Sequence, residues 1–176
     1  NKKIIEINLE LVSQINILSN SSEVNTQNII NILNELNLKI NELQELFGSI
    51  SLDENGVTIK AYDWAEIGDK GIINGVEYTI VDEVTLRQMI ANDEDVTKVV
   101  TSKISNFERL FYENTSFNQS IGSWDTSNVT NMSGVFSKSN FNQPIGNWDV
   151  SNVTNMFDSF YGTPFNQDIS NWDVSN

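Results

Sequence analysis

The chain contains no cysteine and no histidine. That removes a disulfide framework, thiol or imidazole catalysis, His- or Cys-ligated zinc and iron–sulfur centres. Basic residues are scarce as well: ten Lys and Arg face 24 Asp and Glu, and the formal charge of −14 repels phosphate backbones and anionic membrane surfaces. Nucleic acid is not an expected partner. No run of 18 apolar residues occurs, so nothing here is expected to insert into a membrane. With 176 residues and 39% hydrophobic content the chain is long enough to build a core. Asparagine supplies about 15% of it, so amide hydrogen bonding is the chemistry most on offer. A start at Asn1 and a stop at Asn176 inside a repeat read as a piece of a longer, processed protein.

Three segments differ in charge and in hydrophobic period: −3 over residues 1–50, −7 over 51–116 and −4 over 117–176. Residues 1–47 lack proline and glycine and carry a helical pattern ended by Gly48. Ile29, Leu33, Leu36, Ile40, Leu43 and Phe47 follow the 4-3-4-3-4 spacing of a coiled-coil seam, which marks them as an oligomer interface. Upstream, Ile4, Leu11, Ile15 and Leu18 continue the frame, but Asn8, Ser22 and Asn25 interrupt it. Asn20-Ser21-Ser22-Glu23 has the form of a capping box. Two arrangements follow: a parallel stalk of about 70 Å at 1.5 Å per residue, with mixed Ile and Leu seams favouring three chains, or an antiparallel hairpin of 1–18 on 23–47.

The next segment changes character. Gly56 to Ala61 and Val76 to Val81 alternate in β-branched fashion, and Asn74-Gly75 between apolar runs signals a two-residue hairpin. A short amphipathic helix is expected around Val84, Leu86, Met89 and Ile90, capped through Thr85 and Gln88.

From residue 117 the chain repeats. Phe117 to Met132 recurs as Phe141 to Met156 and again from Phe165 to Asn176, a period of 24, with a degenerate copy from Thr101 to Phe111. That period fits leucine-rich-type solenoids and not propeller blades, so Trp124-Asp125, Trp148-Asp149 and Trp172-Asp173 are no blade signatures. Ile121 and Trp124 are read as extended, and Val129, Met132 and Phe136 as one face of a short helix. One copy is too small to bury its own apolar residues, so copies must align Phe on Phe and Trp on Trp.

The pattern Phe-Asn-Gln-x-Ile-x-x-Trp-Asp-x-Ser-Asn-Val-Thr-Asn-Met resembles the BspA-like bacterial surface-protein family, whose leucine-rich-type repeats also occur in mycoplasma lipoproteins. The resemblance is close over 95–176 and extends to a lead-in from Gly56. It implies secreted or surface-displayed proteins that act in adhesion or recognition, with relatives in phage genomes. Val135 and Ser159 depart from a tight consensus, and the helical segment is no part of the resemblance.

The sharper sites weigh less. The Trp column suits packing better than a sugar platform. Asp93-Glu94-Asp95 lacks the spacing and glycine of a calcium loop. Asp125, Asp149 and Asp173 are expected to cap turns. The asparagines Asn118, Asn142, Asn166, Asn131 and Asn155 are the candidate ligand surface, with satisfaction of turn backbone as their alternative use. No carboxylate pair stands out for acid–base catalysis. The expected architecture is thus α+β: an N-terminal α-helical coiled coil over 1–50, a small α+β cap over 51–100 and a right-handed leucine-rich-type repeat solenoid over 101–176. The expected function is non-enzymatic, cofactor-free and metal-free recognition of a surface protein or glycan by a homotrimer, outside the cell or on its surface. The alternative is a phage or contractile-particle tail fibre.

Overall fold

A computed structural model describes residues 26–175, together with Ser13. The upstream parts of the helical expectation, Ile4 to Asn25 and the hairpin of 1–18 on 23–47, lie outside the described residues. The chain divides into two compact units, 1–48 and 49–176.

In the first unit, helix α1 spans Thr26–Phe47. It ends at Gly48, whose φ of +70° is the left-handed turn that glycine reaches without steric cost. Among the described residues the expected coiled coil is not formed. Among the described residues α1 is a single helix, and its seam is open: Ile29, Leu33 and Ile40 are 42%, 52% and 46% exposed. A 4-3 spacing supplies one half of a seam, and knobs without facing holes leave apolar side chains in water.

The second unit opens with two small sheets. β1 (Ile50–Leu52) pairs antiparallel with β2 (Ile59–Ala61), placing Ser51 opposite Lys60. β3 (Lys70–Ile73) and β4 (Val76–Ile80) form a hairpin in which Ile73 pairs with Val76 across Asn74-Gly75. Asn74 and Gly75 have φ of 52° and 79°, the two positive values that a tight hairpin turn of this hand needs. β5 (Val99–Val100) then joins β4 in parallel, at Thr79↔Val99 and Ile80↔Val100. Between them, α2 (Glu83–Ala91) buries Leu86 and Ile90 and leaves Val84 exposed. Its cap is Asp82, one carboxylate oxygen accepting from the Thr85 N–H at 2.7 Å, in place of the expected Thr85 and Gln88. The cap comes one turn earlier because Asp82 precedes the helix with extended backbone, as an N-cap requires.

The repeat contains neither the strand nor the helix of a leucine-rich-type unit, and the expected solenoid is overturned with them. From Phe107 onward the backbone amides alternate between two uses. Phe107, Arg109, Phe111 and Glu113 donate to the carbonyls of Asn131, Ser133, Val135 and Ser137 in the next copy, at 2.8 to 2.9 Å. The intervening Leu110, Tyr112 and Asn114 curl back to Phe107, Arg109 and Phe111, each a three-residue reach. The next copy repeats this: Met132, Gly134, Phe136 and Lys138 reach Asn155, Phe157, Ser159 and Tyr161, while Val135, Ser137 and Ser139 fold back. A helix would send every amide four residues back, and a strand would send alternate amides to opposite neighbours. Here half of them turn and half bridge, so a ribbon of successive turns forms. Among the described residues of the repeat, isolated parallel bridges remain at Asn106↔Asn131 and Asn131↔Asn155.

Hydrophobic side chains close the interior. Phe111 and Phe136 lie parallel at 5.4 Å, Phe117 and Phe141 at 6.0 Å, and Trp124 and Trp148 at 6.3 Å with 3° between their planes. The same core reaches back through Val96 and Val99 to Leu86 and Ile90 of α2. Ile50, Ile59, Ala65, Ile80 and Val100 make a separate small core under the sheets.

Two glycines set the spacing between copies. A Cβ on Gly122 would lie 2.8 Å from the Pro144 carbonyl oxygen, and one on Gly146 the same distance from that of Asp168. Backbone cannot swing aside as a side chain can. Gly122→Ala and Gly146→Ala should each lower the unfolding free energy by about 1–3 kcal/mol in urea titrations, the usual cost of overpacking. An unchanged midpoint would mean that the copies are not this close. The α2 cap gives a pH-dependent counterpart. Its hydrogen bonds from Thr85 hold the Asp82 carboxyl below the usual carboxylate value. A carboxylate depressed on folding stabilises the fold above its unfolded value and loses that contribution as the pH falls through the folded one. The thermal midpoint of Asp82→Ala should therefore lie below that of the wild type at neutral pH, with the gap shrinking on acidification below about pH 4.

Candidate functional site

The candidate ligand surface begins with the asparagines, whose amides bond largely within and between copies. Asn118 Oδ1 accepts from the Asn142 N–H at 2.9 Å, and Asn142 Oδ1 accepts from the Asn166 N–H at 3.1 Å. Asn131 Oδ1 takes the Ser133 N–H while its amide nitrogen donates to Glu108 Oε2 at 3.2 Å. Asn155 Oδ1 takes the Phe157 N–H, and Asn166 Oδ1 the Gln167 side-chain amide. Asn128 and Asn152 donate back to the carbonyls of Ser102 and Ser127 at 2.8 and 2.7 Å. Turn ribbons leave backbone groups that no helix or sheet satisfies, and a short side-chain amide is the group that reaches them.

The tryptophans serve the same end from inside. Trp124 and Trp148 are buried, and the indole N–H groups of Trp124, Trp148 and Trp172 donate to the carbonyls of Val96, Ile121 and Ile145 at 3.0 to 3.1 Å. Their burial removes Trp124 and Trp148 as a sugar platform. The aspartates sit at turns: Asp125 Oδ1 accepts from the Ser127 N–H and hydroxyl, Asp149 Oδ1 likewise from Ser151, and Asp173 from the Ser175 N–H. Asp125 Oδ2 also takes the buried Ser102 hydroxyl at 2.5 Å, tying the first copy to the second. In the acidic triplet, Asp95 Oδ1 is held by the N–H and hydroxyl of Thr97, with the hydroxyl first among the causes that keep its pKa low. No cluster suited to a metal ion occurs among the described residues.

Beside the asparagine ladder runs a second set of columns, largely exposed in the first and third copies and buried at Gly134 and Ser137 in the second. Laid over one another, the copies place Glu108, Ser133 and Phe157 in one column, Arg109, Gly134 and Asp158 in the next, then Tyr112, Ser137 and Tyr161, and Glu113, Lys138 and Gly162. The second and fourth columns have left-handed backbone in every copy, with φ between 52° and 69°. Phe157 and Tyr161 are 72% and 62% exposed. The Arg109 guanidinium lies 4.1 Å from the Tyr112 ring centre. Lys138 bonds the Tyr112 hydroxyl at 3.2 Å and Glu113 at 2.9 Å, and that ammonium leads the causes that hold the Glu113 carboxyl below its usual value. By contrast the inward columns keep their chemistry: Ile104, Val129 and Val153, or Phe111, Phe136 and Phe160. Ser159, the inward departure from consensus, is buried and gives its hydroxyl to the carbonyls of Met132 and Met156.

None of these outward residues is named by motif. The readable signal is difference: the core columns of Ile104, Val129 and Val153 and of Phe111, Phe136 and Phe160 keep their chemistry, whereas the columns that start at Glu108, Arg109, Tyr112 and Glu113 change theirs from copy to copy. Of the expected oligomer interface, Ile29, Leu33, Leu36 and Ile40 lie along α1 with Leu36 half-buried, and Leu43 and Phe47 fall in its last turns.

The structure defines a repeat protein whose copies lie in register through a turn ribbon. Residues 82–176, more than half of the chain, match the family described as Mycoplasma protein of unknown function, DUF285, and the chain belongs to that family. No curated protein and no solved structure matches it.

The indole-to-carbonyl ladder yields a direct test. Trp148→Phe keeps the ring packing but strands the buried Ile121 carbonyl, and should lower the unfolding free energy by about 1–3 kcal/mol. Asn152→Ala, at an exposed position, should cost about 0.5–1.5 kcal/mol. Chemical denaturation of both variants checks the order.

Proposed function

We propose that this is a surface-displayed adhesion or recognition protein of BspA-like type, binding an extracellular protein or glycan and acting without catalysis. The single observation that carries the reading is the split between fixed inward columns and varied outward ones. A scaffold that holds its backbone constant while changing what it shows to solvent is the economy of a recognition surface. Membership of the Mycoplasma family is compatible with a surface repeat protein. Self-association, three chains joined through residues 1–47, would multiply weak contacts by effective concentration. The open stripe of Ile29, Leu33 and Ile40 supports that joining. It equally supports a second reading, a receptor-binding tail fibre of a phage or contractile particle.

Sedimentation equilibrium of the full chain and of residues 49–176 tests the assembly. A trimer that becomes monomeric on deletion is the expected outcome, and a monomer in both overturns the multivalent part. Retention of the labelled chain on eukaryotic cells and immobilised matrix proteins tests the recognition itself. Binding to bacterial cells alone would move the reading to the fibre, and retention on no surface would overturn both.

A further inference from the structure

A shallow depression of about 270 Å³ opens on the outward face where the first two repeat copies meet the third. Its lining includes Arg109, Tyr112, Ser137, Gly134, Phe157 and Asp158. Four features distinguish it from ordinary surface. Arg109 makes no ion pair among the described residues, yet its guanidinium is held in place over the Tyr112 ring. Tyr112 is in turn fixed by Lys138 through its hydroxyl. Ser137 is only 4% exposed, and its hydroxyl has no partner among the described residues, although buried hydroxyls are normally bonded. Gly134, at the floor between them, has φ of +62°, and a Cβ there would come into ordinary contact with Arg109 Cγ at 3.4 Å and Ser137 Cβ at 3.8 Å, so glycine leaves that much more room in the depression.

The chemistry selects among ligands. An anion would meet the Arg109 guanidinium, but with Asp158 and Glu108 also in the lining and −14 overall, the long-range field opposes it. A cation would meet Arg109 and, through Tyr112, Lys138. An uncharged molecule rich in hydroxyls suits both signs: carboxylates accept its protons, the guanidinium donates to its oxygens, and the Ser137 hydroxyl gains the partner it lacks. Phe157, 72% exposed, adds an apolar wall of the kind that packs against the C–H face of a sugar ring. We propose that this depression binds one uncharged pyranose ring of a glycan, with Arg109, Ser137 and Asp158 as its polar contacts and Phe157 as its stacking face. The proposal rests on the recognition reading above and narrows it to a ligand class and a place.

The test uses the full chain, amide-labelled for NMR and titrated with the methyl pyranosides of glucose, galactose, mannose and N-acetylglucosamine. At least one sugar should shift amides at 108–112, 133–137 and 157–158 and leave the α2 amides unmoved. Arg109→Gly removes the guanidinium at a left-handed position that glycine suits, and Phe157→Ala truncates an exposed side chain, so both variants should fold. Each should weaken the sugar by about tenfold or more. Shifts with none of the four sugars, or shifts that persist unchanged in both variants, overturn the proposal. The broader reading fails separately: cells that retain the wild type and Arg109→Gly equally keep recognition and sink this site, whereas sugar binding without any cell retention does the reverse.

Discussion

The alternation of amide bonds along the turn ribbon is the constraint on which the rest of the repeat depends. Because Arg109, Phe111 and Glu113 reach into the next copy while Leu110, Tyr112 and Asn114 fold back, each copy is locked to its neighbour at every second residue and shaped by itself at the others. The rise between copies is then fixed by hydrogen-bond length. That rise brings the aromatic rings to centroid separations of about 5.4 to 6.3 Å, within the range in which rings attract. It also brings the Pro144 carbonyl so near to Gly122 that only glycine fits. Backbone geometry, ring packing and glycine placement are one constraint seen three times.

A ribbon of this kind carries a cost that helices and strands avoid. Its corners leave carbonyls and amides with no regular partner, and unpaired polar groups in a packed interior cost about 1–3 kcal/mol each. The composition answers that demand. Asn128 and Asn152 reach back across copies, Asn131 and Asn155 hold their own turns, and the indoles of Trp124 and Trp148 cover carbonyls that water cannot reach. The high asparagine content thus follows from the fold's appetite for short amides.

Much of this is legible in the sequence itself. The period of 24, the alignment of Phe on Phe and Trp on Trp, the hairpin at Asn74-Gly75 and the short helix near Leu86 are all patterns of spacing or of turn chemistry. The secondary structure of the repeat is not. Val129, Met132 and Phe136 keep helical spacing, but a run of overlapping three-residue turns also returns side chains to one face every three or four residues. Periodicity reports which face is apolar and leaves open whether the amides bond inward or sideways. The seam of α1 misled in a related way, since Ile29, Leu33 and Ile40 state what a partner helix would meet without supplying one.

The outward columns were the least legible part, because they obey no motif. Arg109, Gly134 and Asp158 share one backbone conformation and nothing else, and the same holds for Glu113, Lys138 and Gly162. Left-handed backbone disfavours most side chains by about 1–2 kcal/mol, so a position that tolerates arginine, glutamate, lysine and aspartate there is held by its surroundings and not by its own preference. The inter-copy amide bonds on either side do the holding. These side chains make only surface contacts, such as Lys138 with Glu113 and Arg109 with Tyr112, so they can change from copy to copy at little cost to stability. That separation between a backbone which cannot vary and side chains which can is the physical basis for reading the outer face as the working surface.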